Sequence, residues 1–138
     1  MGCARAHRMT QAQDLRDRTE RFAVAIVRFC ETLPHSMAGK RVGQQLVDSG
    51  TSVAANYRAA CRAFTRALFI SKLAIVAEEA DETEFWLRLI VKTSLAPAAA
   101  AGSLIREAGE LTAIFTASVR TARIRRQSRD GKKPSPPP

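Results

Sequence analysis

Between Phe69 and Val91 the chain carries more apolar residues than one helical face can use. Phe69, Leu73, Val76, Ala80, Thr83, Leu87 and Ile90 recur at spacings of three and four, so they line one side of a helix. Leu68, Ile75, Phe85, Trp86 and Leu89 lie off that stripe, and Glu79 and Glu82 sit among them. A surface helix of a monomer is polar there. Apolar residues in those places predict that the helix meets another subunit.

Three more helices follow from the same periodicity. In the first, Leu15, Thr19, Phe22, Ile26, Cys30 and Leu33 keep one face, with Asp14 as the expected N-cap and Pro34 as the stop. The second starts between Ser36 and Lys40 and carries Val42, Leu46, Ser49, Val53, Asn56, Ala60 and Phe64. Asp48-Ser49-Gly50-Thr51-Ser52 resembles a turn, but the spacing of three and four runs through Gly50 in phase. A continuous helix is therefore expected, at a cost of about 1 kcal/mol for glycine relative to alanine. The last helix, capped by Ser94 and with Pro97 in its first turn, aligns Ala101, Leu104, Ala108, Leu111, Phe115, Ser118 and Ala122. Short connections make the expected fold all-α, an antiparallel up-and-down four-helix bundle over residues 14–123. Residues 1–13 read as a loose leader, and 124–138 as a disordered basic and Pro-rich tail.

The inner face of the second helix is polar in places. Ser49, Ser52 and Asn56 point inward among alanines and must find hydrogen bonds once buried. Lys72, Glu79 and Glu82 of the third helix are the natural partners, which predicts a buried polar network between the two helices. Paired carboxylates in a bundle also raise the question of a metal. Di-iron bundles use Glu-x-x-His, and no His follows His35. The network therefore reads as a device that fixes register, and no metal or cofactor is expected. His35 falls in a loop, where a lone histidine is ordinarily solvated.

Composition adds little about the core but much about charge. The 138 residues are 46% hydrophobic, enough for one modest domain. The net charge is +9. Arg120 to Lys133 holds seven Lys or Arg and one Asp, a local +6 that leaves +3 for the rest. Such a segment holds phosphate by counterion release, or simply solubilises the chain; the two readings stand level. Cys3, Cys30 and Cys61 are scattered without CxxC spacing; Cys30 and Cys61 read as small core residues, and the set suits a reducing cytoplasm. No apolar run is long enough to span a bilayer, and neither a signal peptide nor a myristoylation signal stands at the start.

The runs QQLVDSGTSVAANYRAA, FISKLAIVAEEADETEFWLRLI and REAGELTAIFTASVRTAR resemble the four-helix bundle proteins encoded by intervening sequences of bacterial 23S rRNA genes. The same fold group includes the accessory protein of diversity-generating retroelements. The resemblance covers residues 14–123 and is carried by Ser49, Ser52, Asn56 and Tyr57, then Lys72, Glu79, Glu82, Thr83, Glu84, Trp86 and Leu87, and more loosely by Glu107, Glu110, Leu111 and Thr121. Ala59 stands where the family often has an acid, and Leu68 where it has a small or acidic residue. The resemblance implies a homopentameric ring and no enzyme activity. It implies RNA or DNA, and a retroelement or other protein, as partners besides the chain itself.

These readings lead to a non-enzymatic, cytoplasmic homo-oligomer. Leu68, Ile75, Phe85, Trp86 and Leu89 are its expected interface. Arg41, Arg58, Arg62, Arg66, Arg120, Arg123, Arg125 and Arg126 are its expected phosphate contacts. Aromatics for base stacking look scarce, because Tyr57 is the only tyrosine and Trp86 goes to packing, so sequence-specific single-strand recognition is not expected. The alternative is a protein-interaction scaffold with no nucleic-acid partner.

Overall fold

The computed structural model describes residues 2–131, with side chains from Thr10 onward. Four helices make up the described chain: α1 Gly2–Cys30, α2 Met37–Cys61, α3 Arg66–Lys92 and α4 Ala98–Asp130. Each packs antiparallel on the next. Tyr57 of α2 reaches the backbone of Ala12 in α1 at 3.5 Å, and Thr83 of α3 reaches Ser49 of α2 at 3.0 Å. The core runs the length of the bundle through Ile26, Leu46, Val53, Val76, Leu87, Ile90, Leu111 and Phe115, all fully buried. Side chains of this kind each contribute about 1.5–3 kcal/mol on leaving water.

The expected stripes hold in α1 and α3, and in α2 as far as Ala60, and Gly50 lies inside an unbroken α2. Its position has a packing cause. A Cβ on Gly50 would stand 2.7 Å from Cγ2 of the buried Ile26, so the missing side chain lets α1 and α2 close on each other. Gly39 plays the same part in the first turn of α2, where a Cβ would fall 2.0 Å from the carbonyl oxygen of Pro34. In α4 the buried stripe passes through Val119 where Ser118 was expected.

Several expectations need correction. Asp14 is not an N-cap, because α1 already begins at Gly2. Residues 3–13 have no Gly or Pro and are rich in Ala, Gln and Arg, so helix propensity carries the helix past its apolar stripe. Likewise α4 continues through residues 124–130, and only 132–138 of the expected tail lie outside the described residues. Ser94 does not cap α4. It ends α3 with φ 57°, in the left-handed region, and the backbone N–H of Leu95 returns to the carbonyl of Ile90 at 3.0 Å. That is a Schellman-type stop. Phe64 and Cys61 are not core residues: Phe64 is 99% exposed and Cys61 is exposed. The helix ends at Cys61, so Phe64 leaves the face its spacing had assigned to it.

α1 and α4 face each other across the loosest seam. An open groove of about 740 Å³ separates them, lined among others by Val24, Phe29 and Leu104. One clamp spans the seam. Arg18 grips Glu107 with two nitrogens, at 2.6 and 2.9 Å, and reaches Glu110 at 2.5 Å. The hydrogen bond to Glu107 raises the pKa of the guanidinium, against a smaller lowering by burial.

Candidate nucleic-acid interface

Four stretches of sixteen residues or more lack any acid: 32–47, 49–77, 85–106 and 111–129. The two with the most cations are residues 49–77, which carry Arg58, Arg62, Arg66 and Lys72, and residues 111–129, which carry Arg120, Arg123, Arg125, Arg126 and Arg129. The antiparallel fold lays these two stretches side by side. The end of α2, the start of α3 and the end of α4 share one end of the bundle, so its arginines have few carboxylates to answer them. Arg126 has Asp130, at 3.8 Å, and that pair is mostly solvated. A groove of about 700 Å³ between α3 and α4 is lined at this end by Ile70, Ile75, Arg123 and Arg126, with the carboxylates of Glu78 and Asp130 also on its wall.

Arg58, Arg62, Arg66, Arg120, Arg123, Arg125 and Arg126 are all exposed here. Arg41 is not among them. It sits near the start of α2, at the opposite end. Arg129, which the spacing did not single out, is exposed at the same end as the others. Arg66 is the first residue of α3, whose first turn has no acid. A cation there opposes the helix dipole, so its local charge is left to a ligand or to solvent. Phe64 stands between Arg62 and Arg66 with its ring almost wholly in water. Keeping it out forgoes about 1.5–3 kcal/mol of burial. Leu68 and Ile124, 41% and 57% exposed, add apolar surface nearby.

The expected polar network shrinks to one pair. The hydroxyl of Thr83 lies 3.0 Å from Ser49 Oγ and 2.7 Å from the carbonyl of Glu79, and Ser49 donates to the carbonyl of Leu46 at 3.2 Å. Asn56 turns back on its own helix, to Ser52 O at 2.9 Å. Lys72 makes no hydrogen bond or ion pair to α2, and Glu82 instead accepts from Trp86 Nε1 at 3.1 Å. Serine, threonine and asparagine in a helix satisfy themselves on the carbonyls one turn back, which leaves little for a neighbour. Glu79 is half-buried without a cation. Its pKa is raised, first by burial and then by Glu82, Glu78 and Asp48. Among the described residues no group of His, Cys, Asp or Glu is placed to hold a metal ion.

The expected interface side chains lie along the outer shoulder of α3. Phe85 is 55% exposed, Leu68 is exposed, and Ile75, Trp86 and Leu89 are half-buried. Phe85 and Trp86 meet edge-on, centroids 4.9 Å apart. Leu68, Ile75, Glu82 and Leu89 are each seven residues apart, and Lys72, Glu79 and Trp86 fall between them at steps of four and three. This is the spacing of a second helix-packing seam.

The model of the 23S rRNA-intervening sequence protein family matches residues 11–117. The chain belongs to that family. A crystal structure of a protein of unknown function from the S23 ribosomal protein family of Bacteroides thetaiotaomicron is similar to it at 33% identity and a TM-score of 0.71. That match covers 76% of this chain and 97% of the other. Comparison with the curated proteins gives no match. The family match takes in Phe64, Ser49, Thr83 and the α3 shoulder. It stops short of Arg120 to Arg129, so the basic end of α4 is an addition beyond the matched segment. No helix among the described residues is long and apolar enough to cross a membrane.

Proposed function

We propose that this member of the 23S rRNA-intervening sequence family is a non-enzymatic, homo-oligomeric bundle that binds RNA or DNA through phosphate contacts at its basic end. The observation that carries the reading is the gathering of eight exposed arginines, Arg58, Arg62, Arg66, Arg120, Arg123, Arg125, Arg126 and Arg129, at one end of the molecule. Clustered arginines release counterions when they meet a phosphate backbone, and they do so without reading sequence. The apolar shoulder of α3 supports self-association, and copies would present the basic end several times. The absence of a cofactor follows the same reading, which assigns the half-buried carboxylate of Glu79 to packing. The free thiols of Cys30 and Cys61 suit a cytoplasmic setting.

Mobility shifts with a mixed-sequence RNA at several salt concentrations test the proposal. Binding should weaken linearly in log–log form as salt rises. Arg62→Glu combined with Arg66→Glu should abolish it, while Arg41→Glu, at the other end, should leave most of it. No binding at low salt, or binding that is flat with salt, overturns the reading.

A further inference from the structure

Resting on the nucleic-acid reading, we propose that Phe64 is a stacking platform for an unpaired base, so that the basic end takes single-stranded nucleic acid in preference to duplex. The ring is 99% exposed. Its backbone is nevertheless held from both sides. Arg62 N–H and Ala63 N–H return to the carbonyls of Ala59 and Ala60, each at 3.1 Å. On the other side the Thr65 hydroxyl accepts from Leu68 N–H at 3.1 Å and caps α3. The ring is thus presented by a short, pinned connection.

Arg62 and Arg66 each stand two residues away, within about 7 Å of chain. A base lying on the ring therefore has cations beside it for the phosphates on either side. The other large aromatics are committed elsewhere. Tyr57 is buried against Phe115, centroids 5.1 Å apart, and Trp86 packs on Phe85 along α3. Every base has a π-face, so such a platform tolerates any sequence, but a base inside a duplex keeps that face covered. The charge beside the ring, from Arg62 and Arg66, favours a polyanion as its occupant.

Fluorescence anisotropy with a labelled mixed-sequence RNA, single-stranded and then annealed into a blunt duplex, tests this at one salt concentration. Phe64→Ala should lose about 5- to 150-fold in affinity for the single strand, with duplex affinity and thermal midpoint unchanged. Phe64→Trp should keep the affinity, and Phe64→Leu, apolar without a π-face, should not. If Phe64→Ala binds the single strand as wild type does, while Arg62→Glu with Arg66→Glu fails, stacking is wrong and the phosphate reading survives. If wild type binds neither RNA, both fail. If Phe64→Ala lowers the assembly mass in light scattering, Phe64 is a contact between copies and the proposal is overturned.

Discussion

Gly50 marks the tightest approach of α1 to α2, and its cost and benefit can be set against each other. Alanine there would recover about 1 kcal/mol of helix propensity. Its Cβ would also press on three atoms of Ile26, at 2.7, 3.0 and 3.1 Å, and Ile26 has no exposed surface into which to move. Overpacking of this kind costs about 1–3 kcal/mol. Gly50→Ala should therefore lose about 1 kcal/mol in urea unfolding. Gly102→Ala, whose nearest neighbour is Arg106 Nη1 at 3.6 Å, should gain about 0.5–1 kcal/mol. Glu79 gives a second test at this scale. Its folded-state pKa lies above the unfolded value, so the folded chain binds the proton more tightly. The penalty is absent below the unfolded pKa and grows as pH rises through the folded one. Glu79→Gln should raise the thermal midpoint at pH 7, and the gain should vanish as pH falls toward 4; a gain equal at both pH values would show that burial of charge is not its source. The sequence revealed that Ser49, Asn56 and Glu79 lie near the α2–α3 face. It did not reveal their partners, because each hydroxyl or amide chooses between its own helix and the next by fractions of an ångström.

Helix phases were readable wherever an apolar stripe exists, since burial imposes the spacing of three and four. Helix ends were not. α1 and α4 outrun their stripes on propensity, and α2 stops one step before Phe64, which no periodicity announces. The end of α3 is the clearest case. Ser94 adopts a positive φ with the Leu95-to-Ile90 hydrogen bond closing the turn. A left-handed conformation costs a side-chain-bearing residue about 1–2 kcal/mol, part of which glycine would return through its freer unfolded chain. Ser94→Gly should stabilise the bundle by about 0.5–1 kcal/mol. If Ser94 were instead the cap of α4, as its spacing from Pro97 suggested, the same change would destabilise, so the sign of the shift in a denaturation curve decides between them.

At the scale of the whole molecule, Phe85 stands apart from the basic end. Arg66 and Leu68 lie at the start of α3, whereas Phe85 projects from its later turns, more than half exposed. This separation lets assembly and binding be perturbed independently. Trp86 is half-buried against the chain's own core, so changing it would confound folding with association. Phe85 is the better probe, because a charge in its place meets solvent in a lone subunit and an apolar partner in an assembly. Wild type should elute in light scattering at a multiple of 15.1 kDa, and Phe85→Asp should elute at that mass with its helical circular dichroism intact. Its arginines are untouched, so each subunit should still bind RNA. Joining sites on one particle raises avidity by about 10²–10⁴ when geometry allows simultaneous contact. The Phe85→Asp subunit should therefore bind a long RNA far more weakly than wild type, and a short oligonucleotide that reaches only one subunit about equally well. An unchanged mass would remove Phe85 from the interface. A changed mass with equal loss on long and short RNA would instead place Phe85 in the binding surface itself.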